Sequence, residues 1–342
     1  MTDDTKTDKS RPSAGEAGSH GAGDAPDTPT ELSGRSWWAV LKRTVTEFNE
    51  DNLTDWAAAL TYYSVLSIFP GLLVLVSLLG LLGKSAVQPL IDNMGTIAPG
   101  PVGDILTTGA ESLAQGQRTA GILALVGLAG ALWSASGYIA AFMRASNAIY
   151  DVPEGRPVWK TLPIRLGVTV LVGVLLAASA LMVVLTGELA EKLGEALSVG
   201  SALVTAWDII KWPVLVVLVS LMFAVLYWAS PNARQGGFRW ISPGGLLAVL
   251  VWIIASVGFA FYVTNFGSYN KTYGTLGGVI IFFVWLWISN LAVLLGAEFD
   301  AEMHRGRAMA GGHSVNEEPF VELRDTRKLD DDADADSESG LS

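Results

Sequence analysis

Six stretches of this 342-residue chain contain no Asp, Glu, Lys or Arg: 56–83, 119–143, 166–187, 212–233, 240–270 and 272–297. Each has at least 22 residues, and a helix of about 20 apolar residues crosses the hydrocarbon core of a bilayer. Inside lipid a backbone can satisfy its own N–H and C=O groups only in a helix or a closed barrel. A barrel would show short strands of alternating polarity, whereas these windows are long and continuously apolar. The chain therefore reads as all-α: a polytopic membrane protein with six transmembrane helices and extra amphipathic helices. Its charged fraction of 16% agrees, since soluble domains carry roughly a quarter.

The remaining charges divide the chain. The formal net charge of −11 lies entirely in the two tails. Residues 1–34 carry seven acids and three bases, residues 313–342 carry ten acids and three bases, and residues 35–312 balance at 16 against 16. Tails this polar cannot bury enough apolar surface to fold. The expected organisation is a disordered acidic N-terminal tail (1–34), an amphipathic helix (35–55), a six-helix transmembrane domain (56–300) and an acidic, mostly disordered C-terminal tail (301–342). The spans are expected at about 58–83, 119–143, 166–187, 212–230, 242–265 and 275–297. Acidic tails repel phosphate, which argues against nucleic acid as a partner. Cysteine is absent, and His20, His304 and His313 all lie outside the windows. No catalytic, metal-ligating or cofactor-binding pattern is present, so nothing points to an enzyme or a cofactor.

Lys and Arg near helix ends concentrate on the cytoplasmic side. One set of connections holds eleven of them (Arg35, Lys42, Arg43, Arg144, Arg156, Lys160, Arg165, Arg234, Arg239, Arg305 and Arg307), and the opposite set holds five (Lys84, Arg118, Lys192, Lys211 and Lys271). Both termini are thus expected in the cytoplasm, and the chain in the inner (plasma) membrane. Trp37, Leu41, Val45 and Phe48 share a helical face beside Arg35, Lys42 and Arg43, the pattern of a helix lying on a membrane surface. Val102, Ile105, Leu106, Ala110 and Leu113 form a similar stripe in an outer connection, as do Leu189, Leu193 and Leu197.

Within the windows, small and hydroxylated residues recur at helical spacing. In the first, Thr61, Ser64 and Ser67, with Tyr62 and a Pro70 that would kink the helix, are a candidate polar path. The other reading is helix packing, because small residues let membrane helices approach and hydroxyls bond across the contact. Gly130, Ser134 and Gly137 in the second window, and Gly274 and Gly278 in the sixth, fit packing. Asp55, Arg144 and Glu298 fall at the inner ends of helices, with Asn147 and Asn290 nearby, and form a candidate inner-mouth cluster. Charges facing headgroups would produce the same pattern.

Four blocks carry a family resemblance: AAALTYYSVLSIFPGLL at 57–73, SASGYIAAFMRASNAIYDV at 134–152, YWASPNAR at 227–234, and YGTLGGVIIFFVWLWISNLAVLLGAEFDAE at 273–302. In this order they resemble the YihY/BrkB family of bacterial membrane proteins over roughly residues 40–305. The resemblance implies a six-helix inner-membrane protein of the cell envelope, in some members tied to virulence or to moving lipid precursors. A ribonuclease label also attached to the family finds no support here, because a zinc site needs clustered His and Asp ligands.

Two readings of function follow. One is a transporter or flippase for a lipid precursor or other amphiphile, drawing on the Thr61–Ser67 stripe and the basic inner rim. The other is a non-transporting scaffold surrounded by membrane lipids, with envelope-assembly proteins as partners. The spacing fixes neither a substrate nor an oligomeric state.

Overall fold

The computed structural model describes residues 34–81, 118–184, 201–235, 242–266, 275–310, 312 and 319–332. Seven long helices carry most of them: α1 (Gly34–Glu50), α2 (Leu53–Leu81), α3 (Arg118–Ile149), α4 (Val158–Val184), α5 (Ser201–Ala229), α6 (Pro243–Phe266) and α7 (Thr275–Ala310). Among the described residues there is no strand, only an isolated antiparallel bridge between Ala233 and Leu323. By length and composition, α4, α5, α6 and α7 are each able to cross a membrane. Helices α2 and α3 hold the first two charge-free windows, but their side chains at 68–81, Pro70 included, and at 118–128 lie outside the described residues. So do the outer stripes at 102–113 and 189–197, the tail 1–33, and Gly274.

The helices overrun the windows that announced them. Helix α7 continues to Ala310 instead of ending near 297, and α5 starts at Ser201 instead of 212. An apolar window marks only where hydrocarbon is crossed, and a helix continues wherever its residues favour it. The C-terminal region departs further from expectation, because 319–332 packs on the helices and closes with a helical turn at 327–332.

Helix α7 packs on α6, α2, α1 and α3; α2 packs on α3, and α4 lies between α3 and α5. Burial is uneven along this bundle. At one end Leu53, Leu60, Phe142 and Leu294 are fully buried. We call this end, where α1 and the connections 150–157 and 230–235 meet, the base. Away from it, α6 and α7 turn large apolar side chains outward, among them Ile254 (71% exposed), Val257, Phe261 and Val279. A surface in water seldom carries so continuous an apolar face, and lipid is the solvent that suits it.

Two glycines set the α6–α7 contact. A Cβ on Gly244 would overlap the carbonyl oxygen of Gly296, and one on Gly296 would lie 2.5 Å from the Gly244 oxygen and 2.6 Å from the Tyr227 hydroxyl. Backbone meets backbone there, as small residues permit. The same contact caps α6: the Ser242 Oγ accepts from the Gly245 N–H at 2.9 Å, and the α7 carboxylate Asp300 accepts from the Gly244 N–H at 2.7 Å. A carboxylate at a helix N-terminus satisfies an otherwise unpaired donor and meets the positive end of the dipole. Around Gly278, by contrast, nothing lies within 4 Å among the described residues. This close crossing uses one glycine from each of two helices.

Helix α1 docks on α7 through Val40, which packs with Phe299 and Met303, while Thr44 is buried beside it. Arg43 pairs with Glu302, and Arg305 bonds Glu47 at 3.2 Å. The expected apolar stripe is divided: Leu41 and Val45 point outward together with Trp38, whereas Phe48 packs into the core.

Candidate functional site

Among the described residues, the base concentrates the buried charged groups of the bundle. Its first component is a knot around Asn232, which is fully buried in the connection after α5. The Asn232 backbone N–H donates to Asn147 Oδ1 at 2.7 Å, and its Nδ2 donates to the carbonyls of Pro153 (3.1 Å) and Asp325 (2.9 Å). Asn147 in turn donates to Glu154 at 3.0 Å. Glu154 holds Arg156 through two bonds of 2.7 Å, and Arg156, only 3% exposed, donates onward to the carbonyls of Ala229 and Ser230. A guanidinium on the last carbonyls of α5 satisfies acceptors that the helix leaves open and meets the negative end of its dipole. Arg156 correspondingly outweighs burial and holds the Glu154 carboxyl below its ordinary range.

The second component is an open groove of about 950 Å³ whose lining includes Glu50, Asp51, Asp55, Trp56, Asn147 and Asp151. Local geometry places these acids at helix ends. Asp151 adopts φ 50° directly after α3, while the Val152 N–H returns to the Asn147 carbonyl at 3.0 Å and the Asp151 N–H to that of Ala148 at 2.9 Å. This is the left-handed stop of a Schellman turn, which tolerates Asp and Asn better than other side chains. Asn52 (φ 52°) turns the chain in the same way between α1 and α2. Asp51, half-buried, has its carboxyl beside that of Glu298 of α7. Burial, and after it the charge of Asp151, push the Asp51 carboxyl up to about 7. Glu298 is 1% exposed, and its Oε2 has no hydrogen-bond partner among the described residues. Two carboxyls in contact, one of them buried, share a proton in preference to bearing two charges.

The residues singled out from the sequence separate into different places. Asp55 and Asn147 line the groove, and Glu298 lies behind it through Asp51. Arg144 is exposed on α3 and forms no ion pair among the described residues. Asn290 is elsewhere, at membrane depth, where its Nδ2 donates to Thr61 Oγ1 at 3.1 Å and its Oδ1 accepts from the Tyr138 hydroxyl at 3.1 Å. Thr61 is buried and donates to the Ala57 carbonyl of its own helix. Tyr62 is 60% exposed, Ser64 is half-buried, and Ser67 donates to the Tyr63 carbonyl at 2.7 Å. Across the contact, Ser134 donates to the Leu66 carbonyl at 3.2 Å and Gly137 sits against the Tyr63 ring. Gly130 meets nothing within 4 Å among the described residues.

Sequence reasoning overlooked Asp51, Glu154 and Asn232, and counted Arg156 only among the bases of the inner connections. Asn232 stands in YWASPNAR, one of the blocks that carried the resemblance, and Pro-Asn reads there only as a turn. Among the described residues, no three His, Asp or Glu side chains are grouped so as to hold a metal ion.

A family model described as "Virulence factor BrkB" matches residues 44–319. The chain is 29% identical to YfkH of Bacillus subtilis, named a ribonuclease-like protein, over 74% of this chain and 90% of that one. It is 28% identical to a UPF0761 membrane protein of Ralstonia nicotianae and 29% identical to one of Nitrosospira multiformis, over 78% and 76% of this chain. Those two relatives are longer, and the match spans 58% and 59% of their lengths. No solved structure matches.

Proposed function

The chain belongs to the BrkB family matched over residues 44–319, and from that premise we propose that this multi-pass membrane protein moves an amphiphile, such as a lipid precursor, across the inner membrane of the cell envelope, with both termini in the cytoplasm. The observation that supports this most is the groove at the base. Carboxylates of Glu50, Asp51, Asp55 and Asp151 form one part of its lining, and the Trp56 ring and Ala59 on α2 form another. A polar wall beside an apolar one suits a molecule with a headgroup and a tail, and the acids select a headgroup carrying an amine. The ribonuclease-like name remains that of the Bacillus relative.

The scaffold reading rests on a different observation: the Thr61 side of α2 is occupied by helix contacts, with Thr61 on Asn290 and Tyr63 on Gly137. One experiment separates the two. Vesicles containing the purified chain and a fluorescent phosphatidylethanolamine should show leaflet exchange faster than protein-free vesicles, and Asp55→Asn should slow it several-fold. Equal rates with and without protein would favour the scaffold. The orientation has its own test in a chain without cysteine. Cysteine at Ser112 or Ser198 should react with an impermeant thiol reagent in intact cells, and cysteine at the exposed Thr46 should not.

A further inference from the structure

Residues 319–328 lie across the base between two connections. Phe320 is buried, stacked on Tyr150 with ring centroids 6.0 Å apart, and lies 5.5 Å from the Arg305 guanidinium. Beyond it the backbone pairs antiparallel with 232–234: the Arg234 N–H donates to the Glu322 carbonyl at 2.7 Å, and the Arg324 N–H to that of Asn232 at 2.9 Å. Arg324 Nε reaches the Ala233 carbonyl at 2.7 Å, and its guanidinium lies over the Trp228 ring. Asp325 follows, with its main chain held by the Asn232 side chain and its carboxylate by Lys160 (2.6 Å) and Arg327 (2.9 Å). The Lys328 N–H then donates to the Gly155 carbonyl at 3.0 Å. Gly155 approaches the Asp325 carbonyl so closely that a Cβ would overlap it.

Host and occupant differ in kind. The host surfaces, 150–160 and 228–235, fall inside the family match, whereas the occupant lies almost wholly beyond residue 319. The host is tied within itself: Asn232, Arg156 and Ser230 are buried, Arg156 donates to the Ser230 carbonyl, and the Asn232 N–H donates to Asn147. The occupant buries one ring and one carboxylate, and its remaining ionic contacts face water, with side-chain exposures of 76% for Glu322, 67% for its partner Arg234 and 53% for Arg327. Exposed ion pairs hold weakly.

We propose that the channel between 150–160 and 228–235 is a peptide-docking site, and that residues 319–328 are its displaceable occupant, strapping the base shut. Recognition follows the added-strand mode: main-chain pairing at 232–234 gives affinity, the Tyr150–Arg305 pocket selects an aromatic residue, and Lys160 selects an acid five positions later. Asp151 and Pro153 belong both to the groove and to the connection that the strap holds through Tyr150 and Gly155, so release of the strap frees one groove wall. The proposal does not depend on what the groove carries.

Hydrogen exchange on the full detergent-solubilised chain tests it, with and without an excess of a synthetic peptide matching residues 316–332. Amides of 232–234 and 322–328 should exchange together, faster than α7 around Leu294 and slower than unprotected amides. The peptide should speed exchange of the resident 322–328 while leaving 232–234 protected, and a scrambled peptide should do neither. Asp325→Ala should raise exchange in both segments about tenfold while α2 and α3 stay unchanged. A resident segment as slow as the α7 core, or indifferent to saturating peptide, overturns the proposal, as does one already exchanging freely in the unmodified chain. If Asp325→Ala fails to express, the peptide result on the unmodified chain decides, with Phe320→Ala as second variant.

Discussion

The base and the membrane-depth half of this bundle are built on opposite rules. At membrane depth the helices turn Ile254, Val257 and Phe261 outward, and few polar contacts join them, such as Asn290 with Thr61 and Tyr138. At the base Arg156, Asn232, Glu298, Glu302 and Asp325 are all at least nine-tenths buried. Lipid tails are as apolar as the side chains they surround, so apolar burial drives little association between helices there. Where the chain reaches water and headgroups, specific polar partners become affordable, and uniqueness of structure is concentrated there. Substitutions should therefore be felt far more at the base than along the outer faces.

The most severe test removes Arg156. Its loss strands the Glu154 carboxylate and the Ala229 and Ser230 carbonyls, and Arg156→Ala should cost about 3–5 kcal/mol. Arg144→Ala, at an exposed neighbour on α3, should cost under about 1 kcal/mol. Melting of the detergent-solubilised protein measures both, and equal losses would erase the contrast. A second comparison sets Gly296 against Gly278. Leucine at Gly296 collides with Gly244, Tyr227 and Ala248 and should cost about 1–3 kcal/mol or abolish expression. Alanine at Gly278, which meets nothing within 4 Å among the described residues, should stay within about 0.5 kcal/mol of the parent.

Acidity sharpens the comparison at smaller amplitude. Burial holds the Asp51 carboxyl near 7 among Glu47, Glu50, Asp151 and Glu298. Its folded value thus exceeds that of an unfolded Asp, about 3.9. Proton binding by the folded state stabilises it below the unfolded value, and this contribution is lost as pH rises through about 7. For a half-exposed group screened by solvent the loss should be about 1–2 kcal/mol. Melting temperature should fall across that window, and Asp51→Asn should flatten the profile and leave the protein more stable at alkaline pH. An unchanged slope in the variant would refute the shared proton. The smallest effect belongs to Thr61→Val, which keeps the shape but removes the acceptor for Asn290 and should cost about 1 kcal/mol. A loss as large as that of Arg156→Ala would show that membrane depth holds its own polar core.

How much of this was legible in the sequence depends on range. The apolar windows announced the helices, because crossing hydrocarbon imposes a minimum length on contiguous residues. They did not announce where helices stop, since the polar ends of α7 meet no such constraint. Glu298 was recognisable as a charge at a helix end, but α7 runs on past it to Ala310 and buries it beside Asp51, which approaches from the turn before α2. The Gly244–Gly296 contact joins two helices and leaves no spacing signature, unlike Gly274 and Gly278, which share one. Arg144 and Asn147 stand a turn apart on α3, yet one is exposed and the other buried. The strap was hidden by composition: its many acids read as disorder, while Phe320 and Leu323, few as they are, find a surface already shaped for them.

The length of α7 carries a mechanical consequence. Its 36 residues span about 54 Å at 1.5 Å per residue, whereas the hydrocarbon core is about 30 Å thick. Roughly 20 Å of stiff helix must therefore stand clear of the hydrocarbon, and the stretch from Glu298 to Arg307 belongs to that arm. The Gly244–Gly296 contact, with no side chain between the backbones, acts as its fulcrum. A tilt of about 10° there displaces the free tip by roughly 3 Å, enough to part hydrogen bonds of ordinary length. Arg305 and Glu302, which tie the arm to α1, would be the first to register it. Small adjustments among helices facing lipid are thus delivered to the base as a lever stroke, with no segment needing to unfold.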